Sequence, residues 1–372
     1  MPPVKVLQIL TCDDVGGTEN MVATLLERIN RRRVWAAAVT LDAPGPVWER
    51  LGRAGIPVRS LGEGGLARAF VRLAEILRRE RFDVVNAYGF KATIVTRLLV
   101  RVLAPQTAFV SGVRGLHVSE LEDISGPRSR AILAVERLAS PLVDVYDANS
   151  QGAMDLLAHT GIAPERLHCI PNGIDVSFWD GDQSGKSRCL RPDILCVARF
   201  VARKRHADLL HAARILVDRG VVFRLVLVGD GPTRPQMELL TEKYGIEAVT
   251  DFQGTLDREG VRQAMQNATL FCLASVWEGM AGTVMEAMAS GLPVVGTRVN
   301  GIAEVVDQGR TGYLVPPRRP DLLADALEQL VDHPERAEAF GQAGREHVAE
   351  HFALDRMISA KEDLYVSLAR KR

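Results

Sequence analysis

Glu278 and Glu286 stand eight positions apart in the stretch SVWEGMAGTVMEAMASG, Ser275 to Gly291. An apolar run, Leu270 to Ala274, precedes it and has the character of a buried parallel strand. Val284 to Ala289 has helical composition and stops at Gly291. Glu278 therefore falls on a loop at a strand's C-terminal edge and Glu286 about one turn inside the following helix, so both carboxylates can face one crevice. A carboxylate accepts two hydrogen bonds, and the vicinal diol of a sugar or ribose donates two. Gly279 and Gly282 let the loop backbone approach a ligand, and the N–H groups that open the helix suit an anion. The combination fits a sugar joined to phosphate. The same residues also read as a helix start with one favourable acidic side chain and one solvated glutamate.

Other candidates lie at comparable places. Arg199 and Lys204 flank the strand-to-helix loop RFVARK, where a forked guanidinium and an ammonium could together neutralise a diphosphate. Arg203 and Arg205 in the same run leave a solvated basic surface as the other reading. Gly16 and Gly17 form the turn between a first strand and its helix, where a doubly wound sheet opens its ligand crevice, and such pairs also simply tighten turns. Gly229 and Gly231 in VGDGP resemble the opening of a dinucleotide fingerprint. Arg234 occupies the third glycine position, which argues against a nicotinamide cofactor. Gly254 closes a further strand. His117 follows a strand end near Arg114, and reads either as a site residue or as a loop histidine. Asp180 and Asp182 form a DxD pattern, but no apolar strand precedes it, so it reads as a solvated turn and no metal site is expected.

The elements that must position these groups alternate strand and helix throughout. Strands are expected at Val4–Leu10, Trp35–Leu41, Val84–Ala87, Ala108–Val113 and Val143–Ala148, then at Ile194–Ala198, Arg224–Val228, Thr250–Gln253, Leu270–Ala274 and Pro293–Gly296. That alternation implies an α/β fold of parallel sheets covered on both faces. Asn149 and Ser150 are placed to cap the helix after their strand. The 372 residues suffice for two domains, each with its own core. The boundaries expected are 1–177, a linker at 178–192, 193–352, and a final amphipathic helix at 353–372 that lies back on the first domain.

The composition balances 46 basic against 46 acidic side chains, so no global field recruits nucleic acid. Five cysteines without a CxxC pair, and an N-terminus without the features of a signal peptide, lead us to expect reduced thiols in a cytoplasmic protein with no spanning helix. Arginines beside apolar residues on the helices Leu66–Arg81 and Lys91–Leu103 also allow peripheral contact with a membrane, or simply an ordinary surface.

Taken in order, Gly16 with Gly17, PNGID, Arg199 with Lys204, GDGP, EGMAGTVMEAMASGLPVV, NGIAEVV and GYLVPP make the chain resemble a family 4 retaining glycosyltransferase of the GT-B type over nearly its whole length. The resemblance implies two facing Rossmann-like domains, with a nucleotide-sugar held mainly by the C-terminal one and the acceptor by the N-terminal one. It assigns Arg199 and Lys204 to the diphosphate, Glu286 to the ribose hydroxyls and Glu278 to the transferred sugar. Backbone N–H groups of Met280, Ala281, Gly282 and Thr283 would face sugar and phosphate, Gly17 would approach the diphosphate, and His117 would lie near the reacting sugar. Met280 and Ala281 replace the aromatic residue and the Gly or Pro that often follow EG in the family. A UDP-sugar is the first donor expected and GDP-mannose the second, without a metal or other cofactor, and with a carbohydrate or lipid-linked acceptor. The competing expectation is a catalytically silent nucleotide-sugar-binding or interaction protein of the same fold.

Overall fold

The computed structural model describes residues 2–10, 17–43, 45–114, 127–180 and 191–371. These divide into two compact units, Met1–Asn172 with Asp355–Arg372, and Gly173–Leu354.

The first unit is built on a seven-stranded sheet of β1 (Val4–Leu10), β2 (Val34–Thr40), β3 (Val58–Ser60), β4 (Val84–Tyr88), β5 (Ala108–Val113), β6 (Val145–Ala148) and β7 (Leu167–Cys169). The order is β3-β2-β1-β4-β5-β6-β7 and every pairing is parallel. Helices α1 (Gly17–Arg28), α2 (Pro46–Arg53), α3 (Leu66–Arg79), α4 (Phe90–Leu103), α5 (Pro127–Ala139) and α6 (Gln151–His159) make the crossovers. Leu7, Ile9, Val85, Phe109 and Tyr146 fill the core, as expected of strands that are covered on both faces. The Ser150 hydroxyl accepts from the Ala153 N–H at 3.3 Å and caps α6.

The second unit opens with the short α7 (Val176–Trp179), whose N-cap Asp175 accepts from the Phe178 N–H at 3.3 Å. Its sheet comprises β8 (Asp193–Val197), β9 (Arg224–Val228), β10 (Thr250–Gly254), β11 (Leu270–Leu273), β12 (Val294–Thr297) and β13 (Gly312–Val315), in the order β10-β9-β8-β11-β12-β13. These too pair in parallel. The helices are α8 (His206–Asp218), α9 (Arg234–Tyr244), α10 (Arg258–Asn267), α11 (Gly282–Ala289), α12 (Asn300–Ala303), α13 (Pro320–Asp332) and α14 (Pro334–His351). Cys196 and Cys272 are buried free thiols on β8 and β11. The division between units falls at Asn172, ahead of the expected boundary at residue 177. The reason is that the Ile174 N–H donates to the Phe352 carbonyl at 2.8 Å, and the Leu354 N–H to the Ile174 carbonyl at 2.9 Å. The expected linker therefore begins inside this unit's α7, and its residues 181–190 lie outside the described set.

Helix α15 (Leu354–Arg370) returns the chain to the first unit. Its Tyr365 hydroxyl donates to Asn86 Oδ1 at 2.9 Å and accepts from Gln8 Nε2 at 3.0 Å, on the central strands β4 and β1. Glu362 accepts from Arg33 Nη1 at 2.8 Å. Lys361 pairs with the fully buried Asp147, which also meets Arg114 Nη2 at 2.5 Å. Burial pushes the Asp147 carboxyl up, but the charges of Arg114 and Lys361 outweigh it and hold the group below the ordinary carboxylate value.

Candidate active site

In the second sheet β8 and β11 are neighbours, while the chain leaves them toward opposite edges. A doubly wound sheet opens a crevice at such a switch point, outside the C-terminal ends of the strands. The loop after β8 carries Arg199 to Lys204 and the loop after β11 carries Ser275 to Ala281. One backbone bond, from the Val276 N–H to the Arg203 carbonyl at 2.9 Å, joins the two loops.

Glu278 is brought to Lys204 by that join. Lys204 Nζ lies 2.5 Å from Glu278 Oε1, and the Ser275 hydroxyl donates to the same oxygen at 2.6 Å. Both side chains of the ion pair are largely buried. Since both bonds fall on Oε1, Oε2 remains to accept from a ligand hydroxyl, and the ammonium keeps two further donors. The Thr297 hydroxyl donates to the Ser275 carbonyl and fixes the base of the loop from β12.

The close packing of this loop depends on Gly301. A Cβ there would lie 2.7 Å from the Glu278 carbonyl oxygen and 2.8 Å from the carbonyl of Gly279, so only glycine lets α12 approach. The Gly301 carbonyl in turn accepts the Ala281 N–H at 3.1 Å, and the Gly282 N–H turns back to the Met280 carbonyl at 3.0 Å. This corrects the expectation that residues 280–283 all present backbone donors to a ligand. The tight turn that delivers Glu278 uses those of Ala281 and Gly282 internally. Met280, Gly282 and Thr283 are half-buried, whereas Gly279 and Ala281 are buried.

Glu286 lies one turn into α11 and is half-buried. Burial pushes its carboxyl up to about 7, opposed by the charge of Arg258. Arg258, in the first turn of α10, holds its guanidinium 3.9 Å from the Phe178 ring centroid and 5.9 Å from that of Trp179. Nothing in the local sequence points to Arg258, because its neighbours in space come from α7 and α11. Ser275 and Gly301, by contrast, stood inside the quoted motifs without an assigned role.

Arg199 is exposed just past the end of β8, while Phe200 beside it is buried. The Phe200 ring stacks on His206 at 4.0 Å with an interplanar angle of 8°. Burial, with the Lys204 charge adding to it, pushes the His206 imidazole down to about 4, so His206 adds no positive charge beside Lys204 at neutral pH. Gly229 and Gly231 serve packing here. A Cβ on them would meet the Ala198 and Phe200 carbonyl oxygens at 2.2 and 2.5 Å, at φ of +132° and +152°. These close approaches let the loop after β9 lie under the loop after β8, with the Phe200 N–H donating to the Asp230 carbonyl at 2.9 Å. The Gly254 carbonyl accepts the Gly229 N–H at 2.7 Å. Asp180 of the DxD run meets Arg345 at 2.5 Å, and Gly181 and Asp182 lie outside the described residues. Among the described residues no cluster of three His, Cys, Asp or Glu side chains is placed to hold a metal ion.

In the first unit Gly17 opens α1, exposed, with no heavy atom within 4 Å of the position of a Cβ. Gly16 and His117 lie outside the described residues. Among the described residues no helix is long and apolar enough to cross a membrane.

Two family models match the chain in succession: Glycosyltransferase Family 4 over residues 15–178 and Glycosyl transferases group 1 over residues 182–347. The MMP alpha-(1->4)-mannosyltransferase of Mycolicibacterium hassiacum is 32% identical over 222 residues, 59% of this chain and 52% of that protein. The alpha-maltose-1-phosphate synthase of Mycolicibacterium smegmatis is 32% identical over 258 residues, 62% of this chain and 65% of that one. The matched stretches thus span about half to two thirds of these relatives' lengths. Among solved structures, Anabaena HepE in complex with UDP superposes with a TM-score of 0.83 at 21% identity, over 98% of this chain and 100% of that one. That likeness establishes the GT-B fold of two parallel α/β sheets.

Proposed function

The chain belongs to the family 4 glycosyltransferases, and from that premise we propose that it moves a sugar from a nucleoside diphosphate sugar to an acceptor hydroxyl with retention of the anomeric configuration. The observation that carries this reading is the Lys204–Glu278 pair at the switch point of the second sheet.

Breaking the anomeric C–O bond puts negative charge on the departing diphosphate and leaves the sugar oxocarbenium-like, so catalysis rests on preorganised positive charge at the leaving group. Lys204 can turn its two remaining donors to phosphate oxygens while keeping Glu278 in place, and Arg199 supplies the fork. Glu278 Oε2 then accepts from hydroxyls of the transferred sugar, and the Glu286 carboxylate accepts both hydroxyls of the ribose. A diphosphate oxygen can take the acceptor's proton on the face the diphosphate leaves. That course retains configuration and requires no protein nucleophile.

UDP-sugars are the first donors to test, since a protein of the same fold is solved with UDP, and GDP-mannose is second, since a relative is named a mannosyltransferase. A thermal-shift screen of nucleoside diphosphates and their sugars should find one that stabilises the protein by about 3 kcal/mol at a hundredfold excess over its Kd. A screen in which no nucleotide shifts the transition would overturn the reading.

A further inference from the structure

Large apolar side chains are exposed very unevenly. Leu66 and Val71 on α3, Leu98 and Val102 on α4, and Val135 and Leu138 on α5 are all exposed, Val102 to 76% and Leu138 to 81%. The crossovers from β3 to β4, β4 to β5 and β5 to β6 all run in one direction across the sheet. Right-handed connections therefore put α3, α4 and α5 side by side on one face. Helices α3 and α4 pack together, and α4 and α5 are locked by a buried two-bond pair, Arg97 to Glu136, at 2.9 and 2.8 Å. Leu98 and Val102 are four apart and Val135 and Leu138 three apart, so each pair projects from one side of its helix.

The exposed charges on the same helices are arginines with one exception, Glu75, among the residues whose side chains are described. Arg68, Arg72, Arg78, Arg79, Arg130 and Arg137 are exposed there. The acidic side chains of α3, α4 and α5 are Glu75 and Glu136, and Glu136 is buried against Arg97. A chain with no net charge has concentrated arginine around an apolar ridge. Arginine can lay its stem along apolar surface while its guanidinium meets phosphate, and valine and leucine between such groups can enter the acyl boundary. An acidic protein surface would complement the charge but not the aliphatic side chains exposed among the arginines.

We propose that the outer face of α3, α4 and α5 binds the surface of a bilayer containing anionic lipid, with Val102 and Leu138 entering the headgroup–acyl boundary and the surrounding arginines meeting lipid phosphate. The proposal stands on this surface alone and is independent of the donor chemistry.

Cosedimentation of the full chain with vesicles tests it. The protein should pellet with vesicles of phosphatidylcholine mixed with phosphatidylglycerol, less with phosphatidylcholine alone, and less as salt shortens the screening length. Val102→Asp combined with Leu138→Asp should lower the partition coefficient at least tenfold with an unchanged melting temperature. Each of Arg72→Gln, Arg130→Gln and Arg137→Gln should lower it about fivefold. Val222→Asp with Leu239→Asp, at exposed positions of the second unit, should leave it unchanged. Protein that stays in the supernatant with anionic vesicles at low salt would overturn the proposal. So would equal losses for the two aspartate pairs, or a first pair that dissolves a dimer while leaving vesicle binding intact.

Discussion

The two units use the same chemical pairing, a cation against a carboxylate, in opposite ways. In the first, Asp147 lies between Arg114 and Lys361 with both Asp147 and Lys361 fully buried, and the pairing ties α15 to the sheet. In the second, Lys204 and Glu278 meet at a crevice on two loops, with one carboxylate oxygen and two ammonium protons still to spend. Asp147 Oδ1 and Arg114 Nε are also without a hydrogen-bond partner, but they are sealed in the interior, and a pair that no ligand can reach makes a fastener. A pair that is largely buried but set on loops at the mouth of a crevice, with valences in reserve, makes a place where a ligand can take over one side of it.

Substitutions that remove one partner should separate the two designs. Asp147→Asn leaves two cations buried without a counter-charge and should destabilise the protein by about 3–5 kcal/mol, read by chemical denaturation. Lys361→Met leaves the Arg114–Asp147 pair and should cost much less. A similar loss in both variants would mean that packing, rather than charge, holds α15. Glu286→Ala should leave the melting temperature near that of the parent, Lys204→Ala should lower it by leaving the buried Glu278 carboxylate unpaired, and both should lower transfer by about 10²-fold or more, the range for loss of one charge-stabilising group. Near-normal turnover in either would end the assignment of these residues.

A smaller effect concerns His206, whose folded value lies below its unfolded one. The unfolded chain therefore binds a proton first as pH falls below about 6.5, and stability drops until about pH 4, by up to about 3 kcal/mol. His206→Phe keeps the stack on Phe200 and should flatten that part of the stability profile, and an unchanged slope would place its origin elsewhere. The smallest effect is on stability at Glu286, whose raised value means that ionisation opposes folding above about pH 4.5. Glu286→Gln should therefore raise stability at pH 8 by about 1 kcal/mol, discounted for partial exposure, while removing the acid limb of donor binding near pH 7. A profile that keeps that limb in the glutamine variant would assign it to another group.

Much of this was legible in the residues. The strands Ala108–Val113 and Arg224–Val228 fall where their apolar runs begin and end, because strands buried on both faces write continuous apolar text. The elements missed have little such text. Strand β3 is three residues long and none of them is buried, and α10 buries only Met265. Proline at the second position of α9 marks a helix start, yet only Thr241 of that helix is buried, so no apolar period announces it. Lys204 and Glu278 were each singled out, for the diphosphate and for the transferred sugar, whereas neither their pairing nor Ser275 as the second donor to the same oxygen was legible. Arg258 was illegible for the same reason that α10 was: its partners, Phe178 and Glu286, are distant in sequence and meet it only in the folded unit.

The paired backbone bonds at Ile174, Phe352 and Leu354 make the second unit an insertion in topological terms. Its entry and exit strands lie side by side, so the segment 173–354 begins and ends at one point, while the first unit is interrupted and recovers its last helix only after the insertion is complete. During synthesis Asp147 therefore lacks Lys361, and the sheet of β1 to β7 lacks α15, until the whole second unit has been made.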